Sequence, residues 1–486
     1  MIRYRIGWLS LGIAVLAAVA SPRSGAQVAA PPAARVQDPR MGTNRPTDDY
    51  EKTLPMIAQA GLTWVRDGVS WGIEVEKVKG DYTIPEKDLR RIKAIHQNKL
   101  KVLFLLNSYG NRAYDDPYDP EAYTRFAVEM ARQLKDDVDC MEILNEPANF
   151  GFSKAYGGTW NGLEKDGSVS PWVGRYVSLL NKVAPAIKAV APNMKVIGLG
   201  SVAPVNFRQL AMGINPAVDG IVDHPYSFKT VPEIVPFSAG MVQRDGIAVA
   251  DEQGTFASLI ANYRAQSRKY NGPKEIWLTE WGYSTFQPTL PVMYAGFTPS
   301  AQAKYMLRRF VEGIGLGVEV SIQYDFVNDY GGANPHDAEN NFGLVDGELK
   351  PKPAYEAISR LTQVTANLRP DASVKVNVFP AADRPDVWPI VWDKGKLAAP
   401  GTIPTYGFRD AEGRLVVAIW SAERADGDLQ PRVADIELLI DRPVTKIHCF
   451  DVMSGKRRKV AFKQEEGCVM METQSIPDSP IFLTVE

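Results

Sequence analysis

The sequence predicts an α/β protein made of a (β/α)8 TIM barrel followed by a small all-β sandwich domain. Two observations support this fold class. Eight short apolar runs alternate with amphipathic stretches between about residues 40 and 360 of the 486-residue chain, and short alternating runs with frequent turns replace this pattern after Leu361. We therefore expect a barrel over residues 39–361 and a sandwich over residues 362–486.

The eight apolar runs expected as strands are residues 37–44, 62–71, 101–109, 139–149, 194–201, 220–226, 275–283 and 318–329. Apolar residues recur at helical spacing in the intervening segments 47–60, 87–98, 120–135, 172–190, 254–269 and 300–313. Eight β/α units over roughly 320 residues favour a closed parallel barrel. The alternative, an open doubly wound sheet, usually binds a nucleotide. The chain has neither G-x-G-x-x-G after the first run nor G-x-x-x-x-G-K-[ST], so we prefer the barrel.

The C-terminal part of the chain is predicted to be antiparallel β-structure. Its alternating runs are RLVVAIWSA, VADIELLI, VTKIHCFDVMSG, KRRKVAFKQ, GCVMMET and IFLTVE, with SVKVNVF as a further candidate strand. Short strands separated by turns at this spacing are typical of a compact β-sandwich.

The charge balance limits the classes of partner. The chain carries 55 basic and 57 acidic side chains, a formal net charge of −2. A protein that holds a polyanion by charge usually shows a basic excess, so we do not expect nucleic acid as a partner.

The N-terminus has the pattern of an export signal. Arg3 and Arg5 precede an apolar stretch over residues 6–20, and Ser24 and Ala26 are small residues before Gln27. Fifteen apolar residues are short of the ~20 needed to span a bilayer, which argues against an uncleaved anchor. We therefore expect a signal peptide over residues 1–26, a flexible lead-in over 27–38, secretion or a periplasmic location, and no stable membrane anchor.

Cysteine and histidine usage indicates no metal site and no organic cofactor. The chain has three Cys and four His, with neither C-x-x-C nor H-E-x-x-H. Cys449 and Cys468 could form a disulfide across a hairpin or remain free, whereas Cys140 is expected to be free and buried. Sequence spacing alone does not decide the pairing.

Polar residues follow the apolar runs at the positions where a barrel places its chemistry, the carboxyl ends of its strands. They are Arg66 after the second run, Asn107 after the third, Asn145 and Glu146 after the fourth, His224 and Tyr226 after the sixth, Glu280 after the seventh, and Tyr324 in the eighth. Strands four and seven lie across an eight-stranded ring, so Glu146 and Glu280 can face each other. Retaining glycoside hydrolysis needs such a pair ~5–5.5 Å apart, and inverting hydrolysis needs ~6.5–9.5 Å.

These motifs resemble those of a known group of enzymes. Asn145-Glu146-Pro147 and Thr279-Glu280-Trp281-Gly282 are similar to the strand-end motifs of retaining clan A glycoside hydrolases. The segment GVSWGIEVEKVKGDY and the triplet His224-Pro225-Tyr226 most resemble family 39 and its exopolysaccharide-processing relatives. The resemblance covers the whole barrel.

The resemblance implies roles for the reacting groups. Glu146 would be the general acid/base, with a raised pKa, and Glu280 the nucleophile. Arg66 would lie beneath Glu280 and keep it ionised, unless it pairs with Asp67 or Asp223 instead. Tyr226 or His224 would hydrogen-bond the nucleophile.

The resemblance also implies contacts to substrate. Asn145 would bind the sugar 2-hydroxyl, and Asn107 would also line the site. Trp281 and Trp160 are the expected stacking platforms. Tyr324 stands where many clan members carry a floor tryptophan.

The expected function is that of a retaining glycoside hydrolase that cleaves β-linked polysaccharides or oligosaccharides. Two alternatives remain at this stage. A transglycosylase would use the same two glutamates, and a non-catalytic glycan-binding protein would have the barrel without turnover.

Overall fold

The computed structural model describes residues 36–44, 47, 49–238, 241–329, 334–382, 386–389, 396–399, 402–425 and 430–486. The expected signal peptide and most of the lead-in lie outside these residues. Within them, no helix combines the length and the apolar character that a membrane crossing requires.

Eight parallel strands form a closed barrel in chain order, which confirms the predicted fold class. The strands are β1 Asp38–Asn44, β2 Leu62–Trp71, β3 Lys101–Ser108, β4 Cys140–Ile143, β5 Lys195–Ser201, β6 Gly220–Asp223, β7 Glu275–Leu278 and β8 Val320–Gln323. β8 pairs with β1, so this sheet has no free edge.

Helices cover the outside of the barrel. They are α1 Tyr50–Gln59, α2 Glu86–Gln97, α3 Pro120–Leu134, α4 Gly151–Tyr156, α5 Pro171–Val190, α6 Ala203–Met212, α7 Val242–Asp245, α8 Phe256–Tyr270, α9 Pro299–Gly315 and α10 Pro353–Thr365. Four helices, α4, α6, α7 and α10, lie outside the helical segments named from the sequence. Of these, α6 and α10 follow β5 and β8 and complete the expected β/α alternation, whereas α4 and α7 are additional short helices. The predicted domain boundary at residue 361 lies about one turn before the end of α10.

The barrel interior changes from apolar to polar along the strands. A separate buried cluster fills the interior with Trp64, Leu103, Cys140, Ile197, Val222, Trp277, Val320 and Ile322. Side chains two residues apart on a strand share a face, so Arg66 follows Trp64, Glu142 follows Cys140 and Thr279 follows Trp277 on the inside. The alternation therefore places charged groups above an apolar floor, at the carboxyl ends of the strands.

A glycine makes room for part of this floor. Trp277 lies beside Gly220 of β6, where an added Cβ would be 2.6 Å from the indole Cδ1. Trp64 meets Trp277 edge to face, with ring centroids 5.1 Å apart. The tryptophan pair thus closes the barrel below the polar layer.

The C-terminal domain consists of two main antiparallel sheets. Its strands are β9 Arg369–Pro370, β10 Lys375–Pro380, β11 Asp386–Pro389, β12 Lys396–Ala399, β13 Thr405–Arg409, β14 Leu415–Ile419, β15 Arg432–Leu439, β16 Ile447–Asp451, β17 Arg457–Val460, β18 Lys463–Glu465, β19 Cys468–Ile476 and β20 Ile481–Val485. One sheet has the order β10-β15-β19-β18, the other β17-β16-β20-β14-β13-β9, and β11 pairs with β12. Inward-facing apolar residues from both main sheets form their shared core.

The structure bears on the disulfide between Cys449 and Cys468 that the sequence left open. Cys449 lies on β16 of the six-stranded sheet and Cys468 on β19 of the four-stranded sheet, and both are free. Their strands are not hairpin partners, so of the two possibilities that the sequence left open the structure has the free cysteines. Cys140 is free and buried, as expected.

Candidate active site

A cavity of about 1020 Å³ opens at the carboxyl ends of the barrel strands. Its lining residues are Asn44, Thr47, Arg66, Asp67, Gly68, Val69, Ser70, Ile73, Glu74, Lys87, Asp88, Arg91, Leu105, Asn107, Tyr109, Asn145, Glu146, Phe150, Tyr226, Glu280, Tyr294, Tyr324, Asp325, Val327, Asp329 and Glu339. We call this cavity the cleft. Both glutamates singled out from the sequence line it.

Arg66 is the centre of the polar layer beneath the cleft. Its guanidinium donates to Glu142 (2.7 and 3.0 Å), Glu280 Oε1 (2.6 Å), Asn145 Oδ1 (2.8 Å) and Asn44 Oδ1 (3.1 Å). Burial opposes its charge, but Glu142 and Glu280 outweigh burial and raise the pKa of Arg66. One cation therefore fixes two carboxylates, and the fork geometry of arginine sets the position of Glu280.

The open question about Arg66 is also answered by this geometry. Asp67, one possible partner, is bound by Arg91 instead. Glu142 is the partner that sequence reasoning missed. It is fully buried, and its position within the apolar run of β4 was the available signal, because a charge inside a buried strand requires a partner.

Glu280 is held from two directions. Arg66 contacts Oε1, and the Tyr226 hydroxyl donates to Oε2 at 3.3 Å. Burial of Tyr226 and the nearby charge of Glu280 raise the pKa of this phenol, so it remains a donor. The carboxylate is thus oriented towards the cleft, where its side chain is 14% exposed.

His224 connects Glu146 to the polar layer. Its Nδ1 lies 2.7 Å from Glu146 Oε1 and its Nε2 lies 2.9 Å from Thr279 Oγ1. The Thr279 hydroxyl donates to Glu142 at 3.2 Å, so its oxygen accepts from Nε2–H of His224. With the Nε2 proton assigned by this network, a second proton is shared between Nδ1 and Glu146.

The pKa shifts of the two residues favour an ion pair, in which His224 holds the shared proton and Glu146 is the carboxylate. Burial alone would raise the pKa of Glu146, but the hydrogen bond and charge of His224 outweigh burial and lower it. Burial would lower the pKa of His224, and the charges of Glu280 and Glu146 raise it. The pKa of Glu146 was expected to be raised, and the contacts of His224 lower it instead. His224 contacts Glu146 more closely than Glu280, whose Oε2 lies 3.8 Å from Nδ1.

The two glutamates are close together and one lies in an unusual backbone conformation. Side-chain oxygens of Glu146 and Glu280 lie within 4.8 Å of each other, with a His224 nitrogen in the same group. Glu146 has φ of 38° and Leu144 has φ of 63°, values that side-chain-bearing residues rarely adopt. Such strain persists where surrounding structure enforces it, often at functional sites.

These three residues also have the composition of a cation site. However, Arg66 already supplies a positive charge 2.6 Å from Glu280 Oε1, and both nitrogens of His224 are engaged. Glu280 Oε1 and both nitrogens of His224 are therefore already engaged by the protein's own side chains, and the site is better suited to proton transfer than to metal binding.

The other expected substrate contacts divide into two groups. Asn145, Asn107 and Tyr324 line the cleft. Trp281 is buried to 1% exposure, donates to Ser321 Oγ and packs on Phe310 of α9, so its expected role as a stacking platform is wrong. Trp160 is 39% exposed but is not among the cleft-lining residues, so the structure does not place it at the site.

No protein-family model and no curated protein sequence matches the chain. The fold is similar to solved structures, including a family 39 glycoside hydrolase from the gut symbiont Bacteroides cellulosilyticus WH2. That match has a TM-score of 0.66 at 20% identity and covers 93% of this chain and 81% of the other.

Two further structures have a TM-score of 0.51. A glucosidase from Croceicoccus marinus is 13% identical, with 93% and 96% of the two chains covered. The catalytic domain of GH30 xylanase C from Talaromyces cellulolyticus is 12% identical, with 93% and 97% covered. At these identities the similarity establishes the shared fold.

Proposed function

We propose that this chain is a retaining glycoside hydrolase that cleaves β-linked polysaccharides or oligosaccharides. The observation that carries the proposal is the pair Glu146 and Glu280, whose oxygens lie within 4.8 Å of each other in an open cleft. This separation is near the ~5–5.5 Å of retaining enzymes and below the ~6.5–9.5 Å that admits an inverting water. The similar folds of solved glycoside hydrolases support it.

In the first step, a carboxylate oxygen of Glu280 attacks the anomeric carbon. The bond from that carbon to the leaving sugar breaks as the leaving oxygen takes a proton from Glu146. Arg66 and Tyr226 fix the attacking carboxylate, which reduces the cost of orienting it. Asn145, anchored by Arg66, is positioned to meet the sugar 2-hydroxyl.

The proton that Glu146 needs is supplied by its histidine partner. Before a sugar binds, the lowered pKa of Glu146 and the raised pKa of His224 favour the proton on His224 Nδ1, 2.7 Å from Glu146 Oε1. A sugar that displaces water from the cleft disfavours the charged form of both groups, so the proton moves to Glu146. In the second step Glu146 takes a proton from water, the water oxygen attacks the anomeric carbon, and Glu280 is released.

The cleft charge favours a neutral or cationic glycan. The described lining residues include eight carboxylates (Asp67, Glu74, Asp88, Glu146, Glu280, Asp325, Asp329 and Glu339) against Arg66, Lys87 and Arg91. A cleft lined mainly by one sign of charge repels ligands of that sign. Uronate-rich polymers are therefore poor candidates.

The test is cleavage of β-glucans, mannans, xylans and bacterial exopolysaccharides, followed by mass spectrometry of the products. Glu280→Gln should lose about 10⁴-fold or more of the activity. Glu348→Gln, which alters an exposed surface carboxylate, is the matched control. Proton NMR of the first-formed product should show retention of the β-anomer.

Several outcomes would contradict this assignment. Inversion of the anomer would exclude Glu280 as nucleophile, and undiminished cleavage by Glu280→Gln would exclude strand seven as its source. Products longer than the substrate would indicate a transglycosylase. Glycan binding without turnover would indicate a binding protein.

We also propose that the chain acts outside the cytoplasm, on the strength of the export-signal pattern of residues 1–26. N-terminal sequencing of the exported protein should begin at Gln27. An intact N-terminus in the cytoplasmic fraction would contradict this proposal.

A further inference from the structure

Two aromatic rings are exposed at one side of the cleft. Tyr109, directly after β3, is 53% exposed, and Phe150, in the turn after β4, is 40% exposed. Both line the same cavity as Glu146 and Glu280. Their ring centroids are 6.2 Å apart and the rings are perpendicular. We call Tyr109 and Phe150 the rim pair. It presents an apolar surface that is continuous with the reacting centre.

The rim pair is held in place by the backbone beneath it. Phe150 N–H donates to the Glu146 carbonyl at 3.1 Å, which ties Phe150 into the same turn as Glu146. At the next residue, Gly151, an added Cβ would lie 2.3 Å from Tyr118 Oη and 3.3 Å from the Tyr109 carbonyl oxygen. The loops after β3 and β4 therefore approach so closely that no side chain fits between them.

Buried aromatic residues support this arrangement from behind. Tyr118 packs edge to face on Phe152, with centroids 4.8 Å apart, and both are buried. An exposed ring on a rigid base binds a flat ligand without a further loss of side-chain entropy. The rim pair is thus preorganised for a contact from the cleft.

The position of the rim pair relative to Glu146 indicates which part of a bound glycan would contact the two rings. The acid/base group must lie beside the leaving oxygen, so the leaving-group sugars extend along the side of the cleft that carries Glu146. Phe150 is four residues from Glu146 in the same turn, with Tyr109 against it. The scissile bond and the rim pair are therefore successive points along one bound chain.

We propose that Tyr109 and Phe150 form a subsite that stacks a sugar ring on the leaving-group side of a neutral β-linked glycan. This inference rests on the proposed function, because it takes the direction of the chain from the role of Glu146. The C–H faces of a pyranose are apolar and pack on aromatic rings, as other flat apolar surfaces do. The subsite requires a substrate that is several sugars long.

The binding test uses the full-length Glu280→Gln protein, so that no ligand is consumed. Isothermal titration calorimetry with cellohexaose, laminarihexaose, mannohexaose and xylohexaose compares it with added Tyr109→Ala or Phe150→Ala. Each rim substitution should weaken hexaose binding about tenfold, equivalent to about 1.4 kcal/mol. Tyr270→Ala and Phe379→Ala are matched controls, because both residues are exposed and outside the cleft lining.

The cleavage test locates the subsite. A hexaose labelled with ¹⁸O at its reducing end is digested by otherwise wild-type protein with or without the rim substitutions. Loss of a leaving-group subsite should shift the cuts towards the reducing end. A shift in the opposite direction would overturn the assigned side.

The two tests separate this inference from the proposed function. Equal hexaose affinity in rim and control variants overturns the subsite and leaves the function intact. Failure of all four hexaoses to bind also overturns the subsite as stated. If binding depends on the rim pair but the wild type cleaves nothing, the stacking contact stands, while its assignment to a leaving-group side and the hydrolase proposal both fail.

Discussion

In the part of the chain that the structure describes, two buried arginines, Arg66 and Arg308, bind buried carboxylates, and of these two only Arg66 lines the cleft. In the barrel, Arg66 binds Glu142 and Glu280. Where the barrel meets the sandwich, Arg308 of α9 binds both oxygens of Glu233 at 2.8 and 2.5 Å. Both arginines are buried. A buried ion pair therefore does not by itself mark an active site.

The two networks differ in whether their carboxylates can be reached from solvent. At the junction, Arg308 also donates to the Glu423 carbonyl, and the indole of Trp420 donates to Glu233, so both groups are saturated by protein. Burial and the nearby charge of Glu233 raise the pKa of a further carboxylate there, Glu312, to about 8. In the cleft, the side chains of Glu146 and Glu280 remain 17% and 14% exposed. Accessibility from the cleft, and not burial of an ion pair, distinguishes the Arg66 network from the junction network.

The largest expected effects come from removing each arginine. Arg66→Met and Arg308→Met should each lower the free energy of unfolding by about 3–5 kcal/mol, because each leaves a buried carboxylate unpaired. Of the two variants, only Arg66→Met should also lower kcat, because Arg66 contacts Glu280 and Arg308 does not. Denaturant unfolding and kcat per folded molecule measure the two effects.

The lysine variants refine this comparison. Arg66→Lys keeps the charge but loses the fork that contacts four side chains. It should unfold less readily than Arg66→Met and still show reduced kcat. Equal losses of kcat in Arg66→Lys and Arg308→Lys would contradict the division between a reactive and a structural network.

The next effect concerns the proton shared by His224 and Glu146. The lowered pKa of Glu146 contributes stability that is present above its unfolded value of about 4.5 and is lost as pH falls through the folded value. The raised pKa of His224 contributes stability that is fully present below about 6.5 and is lost as pH rises through the folded value. His224→Asn should therefore destabilise most between about pH 4.5 and 6.5.

The same variant should change the pH dependence of the rate. In the wild type, the alkaline limb of kcat/KM reports loss of the proton that His224 and Glu146 share. Without His224 this limb reports deprotonation of Glu146 alone, so it should move to lower pH. The rate loss should be smaller than the ~10²–10⁴-fold contribution of general acid/base catalysis. His336→Asn, which alters an exposed histidine outside the cleft lining, is the control. An unmoved alkaline limb would show that His224 does not share the proton.

Much of the fold, and the position of Glu146 and Glu280 in the cleft, could be predicted from the sequence. The apolar runs indicated all eight barrel strands, because strands buried on both faces need continuous apolar residues. The ends of β1, β2 and β5 were predicted correctly, but others were predicted too late: β4 ends at Ile143 and β7 at Leu278, several residues before the predicted ends. Leu144 and Glu146, with positive φ, take the chain out of the strand.

The side-chain contacts within the site could not be predicted from the sequence. They depend on the direction in which each side chain points after its strand has ended, where the regular alternation of the strand no longer sets it. Thr279 and Glu280 both contact the polar layer, although they are adjacent, and Trp281 then packs against α9. Two-residue alternation no longer applies there, so Trp281 was misassigned. Likewise, the pairing of His224 with Glu146 joins residues far apart in sequence, which local patterns do not reveal.

The smallest effects compare one hydrogen bond in each network. Tyr226→Phe removes the donor to Glu280 Oε2, and Trp420→Phe removes the donor to Glu233 Oε1 at 2.6 Å. Hydrogen bonds to charged groups contribute about 1.5–3 kcal/mol, and the longer Tyr226 contact of 3.3 Å should fall at the lower end. Tyr226→Phe should therefore reduce kcat about tenfold with little change in stability. Trp420→Phe should lower the free energy of unfolding and leave kcat unchanged. If Trp420→Phe reduced kcat as much as Tyr226→Phe, the junction would have to transmit its state to the cleft, and the separation of the two networks would be wrong.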